Sequence, residues 1–176
     1  MCGAQKFVLQ TTFAKFPCGK LWIGKEAFAK AKAMIIKMKK IVVIDGQGGK
    51  MGAALTSQLK TAGLAAQIIA IGTNSAATTA MLKAGADAGA TGENPVVVNC
   101  ADADIITGPM GIITANALYG EITPKMAAAV SESSAQKLLI PVNRCSVTVV
   151  GVEELPLGDY VKLASQTAKE LIEKGK

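Results

Sequence analysis

"KIVVIDGQGGKMG", residues 40–52, carries an unbroken apolar run, Ile41–Ile44, into four glycines within seven positions. A short β-branched run of this kind reads as a buried strand. Glycines directly before helix-forming residues mark the turn from strand into helix. The same geometry either cradles a phosphate on backbone amides or only redirects the chain, and residues further along bear on which.

Outward from this loop the chain alternates. Lys40–Asp45 is predicted as the first strand, and Lys50 to about Ala62 as a helix carrying Met51, Leu55 and Leu59 at helical spacing, with Leu64 beyond. "AQIIAIGTN" (66–74) reads as a strand ending near Gly72, and "SAATTAMLKAGA" (75–86) as a helix opened by Asn74 or Ser75. "PVVVNC" (95–100) and "DIITGP" (104–109) are expected to be two further short buried strands. "ITPKMAAAVSES" (122–133) has a helix start, with Thr123 as N-cap and Pro124 at the first helical position. "KLLIPV" (137–142) and "VTVVGV" (147–152) are strand candidates, and "DYVKLASQTAKELIEKGK" (159–176) an amphipathic terminal helix.

Short apolar strands alternating with helices specify a doubly wound α/β domain, a mostly parallel sheet between two helical layers. Such folds bind ligands beyond the carboxyl ends of their strands. The loops after residues 45, 72, 99, 108 and 141 therefore form one candidate rim.

The chain of 176 residues is long enough for one domain with a real core. Its net charge of +6 is unevenly placed. Residues 1–40 hold nine Lys against Glu26, together with all four Phe and the only Trp, whereas the remainder is slightly acidic. Residues 1–37 thus read as a basic extension and 38–176 as the α/β domain. "KEAFAKAKAMIIKMKK" (25–40) could form a basic amphipathic helix that docks on an anionic surface. The plainer alternatives are a flexible tail or a start assigned too far upstream. Nucleic-acid binding is not expected of the folded part.

No apolar stretch is long enough to span a bilayer. Cys2, Cys18, Cys100 and Cys145 form no CxxC pair, and the chain has no His. A reducing cytoplasm is the expected location, a homo-oligomer the expected state, and no metal site is anticipated. Without His, Ser–His and Cys–His nucleophile pairs are excluded within one chain.

In dinucleotide folds, G-x-G-x-x-G makes the tight turn, admits the pyrophosphate and lets helix pack on strand. Gly49 and Gly52 fit the second and third positions, but the first falls on Gln47, beside Gly46. In the other register Gly46 and Gly48 fit and Met51 does not. Asp45 would repel a phosphate unless Lys50, a metal or hydrogen bonds offset it. The second strand ends in Gly72-Thr73-Asn74-Ser75, without the acid that usually receives the ribose hydroxyls of NAD. The expected cofactor contacts are Gly46, Gln47, Gly48, Gly49, Lys50 and Met51, then Gly72, Thr73 and Asn74, with Gly108 and Pro109 across the rim.

"GATGEN" (89–94) reads as an ordinary turn into the strand at Pro95. Glu121 and Lys125 are the plausible proton carriers, although the spacing equally suits an exposed i,i+4 ion pair. After the strand ending at Pro141 come Asn143, the only Arg (Arg144) and Cys145. Asn143 and Arg144 could orient an anionic substrate, and Cys145 could act as a thiolate beside a cation. A surface Arg and an inert Cys are the plainer readings.

Taken together, "IDGQGG", "GATGEN", "GEITPKM" and "NRC" resemble an uncharacterised bacterial family, catalogued as a domain of unknown function and Rossmann-like. The similarity runs from about Lys39 to the end of "VTVVGV". It implies that these polar stretches share one surface, and it supplies no activity. "GQGGKMG" alone is also similar to the loop of NAD(P)-dependent prephenate dehydrogenases, from which Asp45 and Gln47 depart. The expected function is binding of a nucleotide or dinucleotide, NADP or NAD, with an NAD(P)-linked oxidoreductase as the enzymatic form. The alternative is a non-catalytic sensor or scaffold subunit that holds a small anion or a partner protein.

Overall fold

The computed structural model describes residues 38–141, 147 and 149–174. Five parallel strands form one sheet: β1 (Lys39–Asp45), β2 (Ala66–Gly72), β3 (Ala88–Thr91), β4 (Ile105–Pro109) and β5 (Gln136–Ile140). The order is β3-β2-β1-β4-β5. The helices are α1 (Lys50–Thr61), α2 (Ser75–Lys83), α3 (Glu93–Cys100), α4 (Pro124–Glu132) and α5 (Leu157–Glu173), with a 3-10 turn at Met110–Ile113. This is the doubly wound, three-layer Rossmann-like arrangement.

Strand periodicity divides the core. Ile41 and Val43 point to one face of β1, where they meet Leu55 and Leu59 of α1, Met81 of α2 and Val161 of α5. Val42 and Ile44 point to the other, against Val96 of α3 and Met126 and Val130 of α4. All four β1 side chains are fully buried, as a central parallel strand requires. Each such aliphatic side chain contributes roughly 1.5–3 kcal/mol of transfer free energy.

Two aspartates pin the sheet register at its amino-terminal end. Asp104, just before β4, accepts the Lys40 amide (2.8 Å) and pairs with Lys39 (2.8 Å), and its own amide donates to the Lys40 carbonyl. Asp87, before β3, repeats the device with the Ile68 amide (2.7 Å) and Lys60. Burial alone would raise both pKa values, but these hydrogen bonds and lysines outweigh it and hold both carboxyls below their ordinary range. The folded state thus binds these protons less tightly than the unfolded chain. Their stabilisation is present above the unfolded pKa and is lost as pH falls through the folded values, on the acid side of the ordinary carboxylate range. A chain carrying both Asp87→Asn and Asp104→Asn should show a visibly flatter fall of the urea midpoint over that range than the wild type.

Four sequence expectations are corrected. Residues 95–100 are not a strand but most of α3. Pro95 fits its first turn, and Val96 and Cys100, four apart, are buried while Val98 is 57% exposed. That is helical spacing, which the run of three valines concealed. "GATGEN" is accordingly no simple turn: its first residues belong to edge strand β3 and its Glu93 opens α3. The rim therefore excludes the loop after residue 99, which leaves the far end of α3. Among the described residues of 147–152 there is no strand, and Val150–Gly151 is a turn. No helix among the described residues is long and apolar enough to cross a membrane.

Candidate functional site

The strand order reverses at β1, whose neighbours β2 and β4 lead to opposite halves of the sheet. Pairing of β1 with β2 continues to Asp45↔Gly72, but pairing with β4 ends at Val43↔Thr107. The β1–β4 ladder ends there. Beyond it lies a cavity of about 440 Å³, lined by the loop Asp45–Met51 with Pro109, Leu118 and Leu157.

Asp45 organises the loop. Its two carboxylate oxygens accept the amides of Gly46 (2.8 Å) and Gly52 (2.6 Å). The N-cap of α1 is Gly49, which has no side chain to offer, so Asp45 satisfies a first-turn amide from the strand end instead. Asp45 is only 6% exposed. Burial pushes its pKa up and the nearby Glu121 charge adds to this, while amides of Gly52, Gly46 and Met51 draw it partly back. The Gly49 amide donates to the Gly46 carbonyl (3.0 Å), closing the turn with Gln47 and Gly49 in left-handed backbone. The amides of Gly48 and Lys50 have no partner among the described residues.

On the β2 side the loop is held by Glu121, which comes from the segment between the 3-10 turn and α4. One oxygen, Oε2, accepts the Gln47 amide (2.9 Å), the Asn74 side-chain amide (3.1 Å) and the Thr73 hydroxyl. Asn74 also donates to the Gln47 carbonyl (2.9 Å) and caps α2 by accepting the Ala77 amide (2.9 Å). Burial disfavours the charged form of Glu121, but the bonds from Thr73, Gln47 and Asn74 prevail and lower its pKa. A Cβ at Gly46 would stand 2.5 Å from Oε2 and 2.7 Å from the Thr73 hydroxyl, so a larger residue there would push the Glu121 carboxylate out of this arrangement.

Glu121 and Lys125 are therefore not an ion pair with each other. Lys125 pairs with Glu93 at the start of α3 (3.3 Å), which also accepts the hydroxyl of Thr123 (2.6 Å). The hydroxyl of Thr123 and the ammonium of Lys125 hold the Glu93 carboxyl below its usual range. Thr123 remains the N-cap of α4, accepting the Met126 amide (3.1 Å), with Pro124 at the first helical position.

The remaining expected residues divide clearly. Gly46, Gln47, Gly48, Gly49, Lys50, Met51 and Pro109 line the cavity. Gly108 lies below it against the Ile44 carbonyl, and Gly72 packs on Thr78 and Asn74. Thr73 and Asn74 reach the rim with their side-chain donors committed to Glu121 and Gln47. Asn143, Arg144 and Cys145 lie outside the described residues. Leu118 and Leu157 were not anticipated, since nothing in their local sequence marks two leucines for a rim formed by tertiary folding.

With the site in place, the comparisons identify its family. Residues 40–173 match the family described as Domain of unknown function (DUF3842). The chain belongs to that family. A comparison with curated proteins finds no match. In this DUF3842 domain the matched span contains the cavity-lining loop, the Glu121 segment and the Glu93–Lys125 pair.

Proposed function

We propose that this domain binds a nucleotide or dinucleotide across the β1/β4 crevice, with phosphates on the 46–52 loop. The observation that carries the reading is the combination of unpartnered Gly48 and Lys50 amides, at the amino end of α1, with a cavity opening where the strand order reverses. A helix start favours a phosphate through its free amides and the positive end of its dipole. Asp45 does not forbid this, because its carboxylate accepts the Gly46 and Gly52 amides while Lys50 is among the residues that line the cavity.

An NAD(P)-linked oxidoreductase would also need a proton carrier beside the reacting carbon. Among the described residues that line the cavity only Asp45 and Lys50 carry an ionisable side chain, and Asp45 is buried in its cap. Neither Glu121 nor Lys125 lines the cavity; Glu121 holds the Gln47 amide and Lys125 pairs with Glu93. This favours a second reading, a ligand-sensing subunit that binds without turnover.

Gly48→Val separates cradle from turn. A Cβ at Gly48 meets nothing within 4 Å, so the fold should accept it, whereas a side chain there would block approach to the loop. The expected result is an unchanged melting temperature and nucleotide binding weakened about 10–100-fold, roughly 1.4–2.8 kcal/mol by calorimetry. A wild-type chain whose melting temperature does not respond to millimolar NAD, NADP or ATP would overturn the proposal, since ligand at 100 Kd stabilises by about 2.7 kcal/mol.

A further inference from the structure

We infer that Glu121 reads the ribose of the bound nucleotide, and that the site therefore selects free 2′- and 3′-hydroxyls over a 2′-phosphate. The inference rests on the nucleotide reading above and specifies its substrate class.

Position comes first. Doubly wound folds commonly receive the adenosine ribose on an acid at the end of the second strand. Here β2 ends in Gly72-Thr73-Asn74 and carries none. The tertiary fold brings one to the same place from the other half of the sheet, because Glu121 is bonded to Thr73, Asn74 and the Gln47 amide together. A carboxylate thus stands between the phosphate loop and the end of β2.

Valence comes second. All three donors converge on Oε2, and Oε1 has no partner among the described residues. An ionised carboxylate accepts about four hydrogen bonds over its two oxygens. Glu121 is half-buried, so Oε1 is held in a fixed direction by the bonds to its twin yet stays within reach of a ligand. Two vicinal hydroxyls supply the donors that it lacks. A 2′-phosphate supplies none at neutral pH and adds close to two negative charges beside an ionised acid.

The third consideration is what could neutralise a 2′-phosphate. The Thr73 hydroxyl and the Asn74 amide already donate to Glu121. Lys125 is turned to Glu93, and Lys50 lies on the cavity side of the loop. No other cation among the described residues is bonded to this cluster.

The test is calorimetric titration of the full-length chain with NAD and NADP at one ionic strength, then with ADP and 2′,3′-dideoxy-ADP. The wild type should bind NAD at least about 50-fold more tightly than NADP, and removal of both hydroxyls from ADP should weaken binding about tenfold. Glu121→Gln should bring the NAD to NADP ratio within about fivefold. The ADP pair needs no variant, so it decides the matter even if Glu121→Gln is unstable. Equal binding of NAD and NADP, or indifference to the missing hydroxyls, would overturn the role of Glu121 and leave nucleotide binding standing. Failure of all four ligands to bind would overturn both.

Discussion

Replacing Gly108 with alanine should destabilise the domain by about 3–5 kcal/mol, enough to remove a large part of a typical domain's stability. A Cβ at this position would overlap the main-chain oxygen of Ile44 in the neighbouring strand and reach 3.3 Å from Ile112 Cδ1. Overpacking against movable side chains usually costs about 1–3 kcal/mol. Here the obstacle is backbone, and it belongs to the central strand, whose side chains are packed from both faces. The strand cannot retreat without disturbing both layers. Urea denaturation of Gly108→Ala is the measurement, and a loss under about 1 kcal/mol would show that β1 and β4 are not in this close contact.

Gly49→Ala should cost about 2–5 kcal/mol, from two separable sources. The residue has φ +66°, where an L side chain costs roughly 1–2 kcal/mol. Its Cβ would also stand 2.6 Å from Ala77 Cα and 2.9 Å from the Ala77 carbonyl, forcing α2 away from α1. Gly63 provides the internal control. It has φ +63° but nothing within 4 Å of its Cβ position, so Gly63→Ala should show the backbone cost alone. The difference between these two variants in urea measures how tightly α2 is seated on the loop. Gly49 is consequently a structural position and Gly48, one residue earlier, the one suited to probing a ligand.

Much of the fold was legible because β1, β2 and β4 are continuous apolar runs and because capping residues announce the helices. Asn74 and Thr123 cap α2 and α4 with the geometry that their side chains suggest. The errors arose where local preference and tertiary packing disagree. Val96-Val97-Val98 favours a strand by propensity, but only one face of this segment finds a core. Edge strand β3, Ala-Gly-Ala-Thr, is mostly exposed and has no apolar run to reveal it.

At the site, the glycine loop and Pro109 were legible as a rim from the alternation of strands and helices. The partner of Glu121 was not. Gln47 is 74 positions away in the chain. The intervening turn depends on Asn116, Leu118, Tyr119 and Gly120 in left-handed backbone, a conformation that no local pattern there forecasts. Asp45 was rightly seen as a charge beside the loop, but its service as the cap of α1 follows from the glycine at the N-cap, whose missing side chain leaves that amide to be met from elsewhere.

The strand order also sets a sequence of assembly. From Lys39 to Thr91 the chain can build β1, β2 and β3 outward through short crossovers, pairing Ile41 with Ile68 across 27 residues. The other flank of β1 stays bare until β4 arrives, and Ile41 meets Ile105 across 64. Long-range pairing of this kind forms late, because the intervening chain must be ordered before the contact is gained. The crevice is therefore expected to close after the β1–β2–β3 half has formed, and on a ribosome the loop at Gly46 would emerge well before the wall that turns it into a pocket.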